Sequence, residues 1–341
     1  MLNTVYQLKA ARQFELTFQN IDLDRPRVLV RPTWLSICNA DQRYYQGLRP
    51  EEIMRKKLPM ALIHEGIGRV VWDPTGTYSR GEAVVMIPNL PQESDPYIAE
   101  NYLRSSRFRG SGTDGFLQEY IFSVPDRLVR LPDDLDPVVG AFTELVSVGY
   151  GAILRFQRFA HARRETIGVW GDGNLGYIVS LLIKNMIPEA KVIVFGKNRP
   201  KLADFTFADD ICLIDEIPED LVLDHAFECA GGNGAPRAIN QIIDHIRPEG
   251  TISILGVTED LAPINTRMIL EKGLRMFGTS RSSREDFSGL MELYRERPEV
   301  PQYLENIVGS VIHVRKLKDI TNAFETDIHK LIGKTIMEWD I

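Results

Sequence analysis

Three residues with metal-binding side chains occur in the first half of the chain, far apart from one another. They are Cys38 in the segment SICNAD, His64 in HEGIG and Glu144 in TELVSV. A thiolate, an imidazole and a carboxylate all bind Zn2+, and a catalytic zinc keeps three protein ligands and an open fourth position. The separations are far longer than those in a zinc finger, which favours a catalytic site assembled in three dimensions. Taken singly, the same residues also fit a buried thiol, a hydrogen-bonded core imidazole and a helix N-terminal acid.

A glycine-rich segment in the second half, GDGNLG at 171–176, has the pattern G-x-G-x-x-G. It follows an apolar run and opens a helical pattern, which is the context that a dinucleotide-binding motif requires. The first glycine permits a tight turn, the second lets the backbone approach a pyrophosphate, and the third lets helix and strand pack closely. The alternative is a glycine-rich turn without a ligand. The candidate cofactor-binding residues here are Gly171, Gly173, Asn174, Leu175 and Gly176.

The end of the next apolar run bears on which nicotinamide cofactor binds. A carboxylate about 20 residues beyond the glycines would hydrogen-bond the adenosine ribose of NAD. Gly196 stands there instead, followed by Lys197 and Arg199. Two cations without an acid favour the 2′-phosphate of NADPH, because a carboxylate would repel that phosphate. The alternative is that both cations are solvated loop charges.

The elements that must position these residues change in character near Leu154. Before that point, short β-rich runs alternate with turns, which predicts an irregular antiparallel β domain. Beyond it, short apolar runs alternate with helix-period segments such as Leu175, Ile178, Leu182 and Met186, which predicts a doubly wound parallel sheet. The first set of runs is Val28–Pro32, Gly68–Trp72, Ala83–Ile87 and Gln118–Val124. The second set is Thr166–Trp170, Lys191–Phe195, Asp210–Ile214, Leu223–Glu228, Thr251–Leu255 and Leu274–Phe277.

These patterns predict a catalytic domain over residues 1–150, a dinucleotide-binding domain over 151–283 and a C-terminal segment over 284–341. The C-terminal segment has a helical pattern at Phe287–Glu296 and a strand-like run at Gly333–Trp339. We expect this segment to pack back on the first domain.

Composition and charge exclude several classes of function. The formal net charge is −7, which disfavours nucleic acid as the main partner because phosphate neutralisation needs a dense basic surface. The sequence contains no apolar stretch of about 18 residues, so we predict no membrane span. Met1–Gln13 lacks the apolar core of a signal peptide, so we predict no secretion. The three cysteines are odd in number and have no Cys-x-x-Cys spacing, which predicts a reducing cytoplasm. Cys212 lies in an apolar strand-like run and Cys229 lies at the end of another, and both are interpreted as packing residues.

Together, the metal-binding segments and the glycine motif resemble the medium-chain dehydrogenase/reductase superfamily over essentially the whole chain. Cys38 and Asp41 match its Cys-x-x-Asp motif, and His64, Glu65 and Gly68 match its His-Glu-x-x-Gly motif. Glu144 stands where the polyol-dehydrogenase branch has its third zinc ligand. The resemblance implies an α/β fold with a β-rich GroES-like catalytic domain and a doubly wound Rossmann domain. It also implies that Glu65 is a transient ligand or a residue just behind the zinc ligands.

The chain departs from this superfamily at two places. Ala40 stands where many relatives have a serine or threonine that relays a proton, so proton delivery has to use water or another group. The loop at about Pro88–Thr113 lacks the four cysteines that bind a structural zinc in many relatives. We therefore predict one zinc per chain.

Arginines cluster in the loop Leu103–Gly115, where small residues surround Arg104, Arg107 and Arg109. Arg43 follows Cys38 closely. A guanidinium group suits phosphate because its planar fork donates paired hydrogen bonds. The cluster therefore predicts a phosphorylated sugar as substrate, and the alternative is a solvated or intersubunit basic loop.

A closer resemblance is to bacterial ribulose-5-phosphate reductases, which make ribitol 5-phosphate for teichoic acids or capsules. It is carried by the segments ICNADQRYY at 37–45, AENYL at 99–103, WGDGNLGY at 170–177 and DHAFEC at 224–229. This resemblance implies NADPH as reductant, a cytidylyltransferase of the same pathway as partner, and a homo-oligomer.

The resulting hypothesis is that zinc held by Cys38, His64 and Glu144 polarises the C2 carbonyl of ribulose 5-phosphate during hydride transfer. Proton delivery uses a water relay in which Glu65, Asp41 or Tyr44 takes part. Two further candidate cofactor contacts, Ser280 and Arg281, follow the sixth predicted strand.

Two other functions fit parts of the sequence. One is an NAD-dependent zinc polyol dehydrogenase acting on sorbitol or xylitol, which the arginine loop and the missing ribose-binding acid disfavour. The other is an inactive nucleotide-binding structural protein, which the intact candidate zinc ligands disfavour.

Overall fold

The computed structural model describes residues 1–330 and 332–341, which form two compact units. The first unit combines Met1–Leu145 with Arg281–Ile341, and the second unit is Val146–Ser280. The first unit is therefore built from two separate stretches of sequence, whereas the second is continuous.

The strands, in chain order, are β1 (Leu2–Ala10), β2 (Gln13–Asn20), β3 (Val28–Ser36), β4 (Met60–Ala61), β5 (Glu65–Trp72), β6 (Ala83–Met86), β7 (Asn89–Leu90), β8 (Arg107–Phe108), β9 (Ile121–Ser123), β10 (Leu128–Arg130), β11 (Thr166–Trp170), β12 (Lys191–Gly196), β13 (Asp210–Leu213), β14 (Leu223–Glu228), β15 (Ile246–Ile254), β16 (Arg275–Gly278), β17 (Val308–Val314) and β18 (Lys334–Trp339). The helices are α1 (Asn39–Tyr45), α2 (Glu51–Lys57), α3 (Pro137–Gly140), α4 (Thr143–Phe159), α5 (Asn174–Met186), α6 (Arg199–Leu202), α7 (Ala235–His245), α8 (Thr266–Glu271), α9 (Arg284–Glu296), α10 (Glu299–Leu304) and α11 (Leu317–His329).

The first unit is built mainly from antiparallel strands. Its main sheet has the order β10-β6-β5-β3-β18-β17, with β9 also paired to β3, and the smaller sheets are β2-β1-β4 and β7-β8. The β-rich first domain expected from sequence is thus confirmed. Strand β18 pairs antiparallel with β3, so the C-terminal stretch lies in the same sheet as the N-terminal strands. Apolar side chains such as Leu8, Val30, Phe116 and Phe324 are fully buried in the core of this unit.

The second unit contains a six-stranded sheet in the order β13-β12-β11-β14-β15-β16. Every neighbouring pair in it is parallel. This is the 3-2-1-4-5-6 order of a doubly wound dinucleotide-binding fold, and it confirms the sequence prediction. On α5, Ile178 and Leu182 are buried, as the helical periodicity predicts.

One strand of this sheet begins five residues before its predicted start, whereas the other bounds differ by at most one residue. The sequence run begins at Thr251, whereas β15 begins at Ile246. In the sequence, Pro248 and Gly250 favour a turn at residues 247–250. In the structure, Glu249 within this stretch has a φ of 61°. The pairing of β14 with β15 shifts register between Leu223 and His225, so the strand continues through the irregularity.

Among the helices of residues 1–330 and 332–341, none combines the length and the apolar character needed to cross a lipid bilayer.

Candidate functional site

Two adjacent strands of the first unit bring Cys38 and His64 together. Cys38 lies two residues beyond β3 at the start of α1, and His64 directly precedes β5. The strands are antiparallel, with Ser36 opposite Glu65, so the end of one meets the start of the other. The Cys38 sulfur, a ring nitrogen of His64 and a carboxylate oxygen of Glu65 all lie within 4.8 Å of one another.

Asp41 holds this corner in place from the first turn of α1. Its Oδ2 accepts a hydrogen bond from the backbone N–H of Cys38 at 3.1 Å, and its Oδ1 accepts one from Ile63 at 3.0 Å. Oδ1 also lies 3.4 Å from His64 Nδ1. A carboxylate behind an imidazole fixes the ring orientation, as is usual for metal-binding histidines. Nδ1 therefore faces Asp41, which leaves Nε2 as the donor atom for a metal.

His64 lies in a negative environment. Burial lowers the pKa of His64, but the carboxylate of Asp41 and the sulfur of Cys38 raise it, and the resulting pKa is well above the ordinary value. This cluster of anionic groups around a buried imidazole suits the binding of a cation.

Glu65 forms a buried ion pair with Lys334, the first residue of β18. Lys334 Nζ lies 2.8 Å from Glu65 Oε1 and donates a further hydrogen bond to the carbonyl oxygen of Ile37 at 3.0 Å. Glu65 is 0% exposed and Lys334 is 2% exposed. Lys334 thus neutralises a carboxylate and ties β18 to the residue preceding Cys38. No sequence motif pointed to Lys334.

Glu144 lies in the first turn of α4 and is also buried. The pKa of Glu144 is raised to about 7, mainly by burial and also by the carboxylates of Glu65 and Asp41, whereas His64 and Lys334 oppose the rise. In the part of the chain that the structure describes, the compact donor triad contains Glu65 and not Glu144. A divalent cation would favour the ionised form of Glu144, because opposite charge stabilises a buried carboxylate.

The donor set fits one zinc ion. It offers sulfur and imidazole nitrogen from Cys38 and His64, and carboxylate oxygen from Glu65 or Glu144, which are the ligand types that zinc prefers. The observation that decides the fit is the convergence of the sulfur, nitrogen and oxygen donors within 4.8 Å.

The glycine motif of the second unit lies in the turn between β11 and α5. Gly171 has a φ of +139°, which a side chain rarely tolerates. A Cβ on Gly176 would lie 1.9 Å from the carbonyl oxygen of Gly171, whereas a Cβ on Gly173 would meet no atom within 4 Å. The turn is therefore closed on the protein side and open at Gly173, as the approach of a pyrophosphate requires. Asn174 and Leu175 form the first turn of α5.

A cavity of about 220 Å3 adjoins this turn, and Gly173, Gly196, Lys197 and Arg237 are among its lining residues. Arg199 is not among its lining residues, and the Arg199 guanidinium pairs with Glu216 at 2.9 Å. Arg237 was not singled out from sequence, since it belongs to α7, which follows β14. It pairs with Asp215 and donates a hydrogen bond to the carbonyl oxygen of Ile214 at 3.3 Å.

Comparison with known proteins agrees with both sites. Residues 24–133 match the alcohol dehydrogenase GroES-like domain family, and residues 201–296 match the zinc-binding dehydrogenase family. The chain is 55% identical to a ribulose-5-phosphate reductase of Bacillus spizizenii over the full length of both proteins. It is 51% identical to ribulose-5-phosphate reductase 2 of Staphylococcus aureus, again over the full length of both. The chain belongs to the ribulose-5-phosphate reductase family. Its structure also matches that of S. aureus TarJ in complex with NADPH, with a TM-score of 0.90 and 45% identity over 100% of both chains.

Membership of the ribulose-5-phosphate reductase family confirms the resemblance drawn from the motifs and the expected fold class. The family relationship does not by itself assign roles to individual residues, so the predicted zinc ligands and substrate residues stay predictions.

The arginines predicted to bind phosphate in this reductase-family chain are spread over different surroundings. Arg109 donates hydrogen bonds to the carbonyl oxygens of Asp114 and Phe122, both at 3.3 Å. Burial lowers the pKa of Arg109 to about 10. Arg107 and Arg104 are exposed, and Arg43 is half-buried on α1. Arg107 and Arg109 line one cavity together with Arg27 and Arg127, whereas Arg104 and Arg43 are not among its lining residues.

A different basic group lies next to the predicted residue Tyr44. Lys57, the last residue of α2, donates hydrogen bonds to the Tyr44 hydroxyl and to Ser111 Oγ, both at 3.0 Å. The guanidinium of Arg49 lies 5.1 Å from the centre of the Tyr44 ring. Sequence reasoning missed Lys57 because α2 carries three consecutive basic residues, a pattern typical of a solvated helix end.

Arg281, predicted as a cofactor contact beside Ser280, belongs to the first unit. It has a φ of 61°, and its guanidinium lies 4.8 Å from the centre of the Phe108 ring. The Phe108 ring in turn lies 5.4 Å from the His64 ring. Burial lowers the pKa of Arg281, and the charge of Glu144 opposes this shift. Arg281 therefore lies on the side of the first unit that holds the metal donors.

Proposed function

We propose that this chain reduces D-ribulose 5-phosphate at C2 to D-ribitol 5-phosphate with NADPH as reductant. It is a zinc-dependent oxidoreductase of the alcohol dehydrogenase type. The observation that carries this proposal is the 55% identity, over the full length of both proteins, to a relative named ribulose-5-phosphate reductase. The solved relative that binds NADPH supports the choice of cofactor.

In this proposal, Cys38, His64 and Glu144 hold the zinc, with Glu65 as a further ligand. When bound, the zinc would supply Lewis acidity toward the C2 carbonyl oxygen, and NADPH would supply the hydride. Asp41 keeps His64 oriented, and Lys334 keeps the charge of Glu65 balanced within the buried site. The glycine turn from Gly171 to Gly176 and the N-terminus of α5 bind the pyrophosphate.

The proton taken up by the reduced oxygen comes through water, since Ala40 has no hydroxyl group. Glu65, Asp41 and Tyr44 remain the predicted participants in this relay. Both Asp41 oxygens accept backbone N–H groups, and Glu65 is paired with Lys334. The Tyr44 hydroxyl accepts a hydrogen bond from Lys57 Nζ at 3.0 Å.

The direct test is a substrate panel with zinc-reconstituted protein. We expect ribulose 5-phosphate to support NADPH oxidation with a kcat/KM at least about tenfold higher than with NADH or with unphosphorylated ribulose. Mass spectrometry of the product should identify a pentitol phosphate. Turnover of sorbitol or xylitol with NAD, in the absence of ribulose 5-phosphate reduction, would contradict the proposal.

The assignment of Lys197 to the 2′-phosphate of NADPH gives a second prediction. Lys197→Asp exchanges a cation for an anion beside the cofactor cavity, and such charges contribute about 1–4 kcal/mol at close range. We expect the dissociation constant for NADPH, measured by nicotinamide fluorescence, to rise at least about tenfold. Binding of NADH should change by less than about threefold.

The matched control is Lys201→Asp, since Lys201 lies on α6 and does not line the cavity in the described residues. It makes the same change in net charge, and we expect it to leave both affinities close to those of the unmodified protein. Equal weakening of NADPH and NADH by Lys197→Asp would reject the assignment.

The proposal also includes the binding partners of the chain. A sugar phosphate is the substrate, while a cytidylyltransferase partner and a homo-oligomeric state are predictions from the family resemblance. Cytoplasmic location is a further prediction, supported by the three cysteines Cys38, Cys212 and Cys229, which are all free thiols. The role of the product in teichoic acid or capsule synthesis is likewise predicted from the family.

A further inference from the structure

We propose that Lys57, Ser111 and Tyr44 form the subsite that binds the phosphate group of the sugar substrate. This inference rests on the proposed function and names the residues that would distinguish a phosphorylated sugar from a free one. It assigns the phosphate to one compact group of donors in place of the predicted arginines.

The three side chains converge on a single point. Lys57 Nζ donates to the Tyr44 hydroxyl and to Ser111 Oγ, both at 3.0 Å. An ammonium group has three N–H donors, so these bonds leave one available. Each hydroxyl accepts with a lone pair and keeps its own O–H to donate. The group therefore offers three donors and one positive charge close to one another, which matches a phosphate with several acceptor oxygens.

The positive charge of this group comes from Lys57. Both acceptors of the Lys57 ammonium are neutral hydroxyls, and its Nζ lies 5.7 Å from the centre of the Tyr44 ring. Such a site favours an anion because opposite charges attract strongly where water is partly excluded.

Two independent series of contacts connect Lys57, Ser111 and Tyr44 to the metal donors. Along α1, Tyr44 comes three residues after Asp41, which lies 3.4 Å from His64, and positions three apart lie on the same helix face. Along the loop after β8, the Phe108 ring lies 5.4 Å from the His64 ring, and Ser111 donates its N–H to the Phe108 carbonyl oxygen at 3.1 Å. A sugar whose carbonyl is at the metal could therefore place a distant phosphate near Lys57.

The arginine loop contributes to this site through Ser111, not through its guanidinium groups. Arg109 is held by two backbone carbonyl oxygens, and Arg107 is exposed on a short strand paired with Leu90. The glycines at 110 and 112 have φ values of 70° and 100°. These conformations turn the loop so that Ser111 reaches Lys57.

The test compares Lys57→Gln with Lys56→Gln, which removes the same charge from the neighbouring, exposed position on α2. For Lys57→Gln, we expect the KM for ribulose 5-phosphate to rise about 10- to 100-fold, the effect of losing a charge-assisted hydrogen bond. The KM for free D-ribulose should stay within about twofold. Inorganic phosphate should inhibit the unmodified protein competitively, with an inhibition constant that rises in Lys57→Gln but not in Lys56→Gln.

Lys57→Arg and Ser111→Ala complete the series. Compared with Lys57→Gln, Lys57→Arg should restore most of the affinity for the phosphorylated substrate, since it keeps the charge. As a control for folding, NADPH fluorescence titration should show that each variant still binds the cofactor. If the unmodified protein reduces ribulose 5-phosphate but Lys57→Gln behaves like Lys56→Gln, or impairs free ribulose equally, the subsite is wrong while the proposed function stands. If the unmodified protein does not reduce ribulose 5-phosphate, both are wrong.

Discussion

Cys38→Ala is expected to abolish zinc binding and to lower kcat with ribulose 5-phosphate by at least about 1,000-fold. The substitution removes the only sulfur donor of the described donor triad, whose three ligand atoms lie within 4.8 Å of one another. Lewis-acid polarisation contributes several kcal/mol to stabilising the transition state, and each 1.36 kcal/mol corresponds to about a tenfold change in rate. Metal content by atomic emission and NADPH oxidation under saturating substrate measure the two effects.

The matched control is Cys212→Ala, which removes a half-exposed thiol of β13 in the second unit. We expect it to retain full zinc content and turnover. Because the glycine turn lies in the second unit, Cys38→Ala should bind NADPH with nearly the affinity of the unmodified protein. A Cys38→Ala protein that kept stoichiometric zinc, or full activity without zinc, would refute the assignment of the metal site.

The second large effect is expected for stability. Lys334→Met should lower the free energy of unfolding by about 3–5 kcal/mol, because it leaves the carboxylate of Glu65 buried without its cation. The melting temperature should then fall by roughly 6–20 °C. Since Lys334 Nζ also donates to the carbonyl oxygen of Ile37, the variant should weaken the segment that holds Cys38. Urea unfolding monitored by tryptophan fluorescence gives the free-energy difference.

Two comparisons separate this effect from a general loss of charge. Lys9→Met breaks an exposed pair with Glu15 that has a similar length of 2.9 Å, and exposed pairs contribute about 0–1 kcal/mol. The double substitution Glu65→Gln with Lys334→Met removes both buried charges and should recover about half or more of the lost stability. A Lys334→Met protein as stable as Lys9→Met would show that the buried pair contributes little.

The sequence was most informative where local chemistry requires particular residues. The turn from Gly171 to Gly176 could be predicted because close backbone approaches admit only glycine, and the six strands around it because buried parallel strands are continuous apolar runs. The convergence of Cys38 with His64 could be predicted from motif resemblance. Spacing alone could not have done so, because it does not reveal that β3 and β5 are neighbours.

The residues that escaped prediction depend on long-range contacts between common residue types. Lys334 is one of many lysines, and its role follows only from the pairing of β18 with β3. Lys57 looked like part of a solvated helix end until the fold brought Ser111 and Tyr44 to it. Arg109 has the right chemistry for phosphate, yet its guanidinium is engaged by backbone carbonyl oxygens, a competition that no local pattern reveals.

The ion pair between Glu65 and Lys334 joins residues 269 positions apart in the chain. A ribosome adding about 5–20 residues per second makes the glutamate roughly 15–50 seconds before its lysine. The continuous second unit can fold during this interval, while β3 still lacks its neighbour β18 and presents an open sheet edge. Translation therefore leaves the metal-binding half of the molecule unfinished for longest, and this nascent intermediate is where we expect chaperones to act.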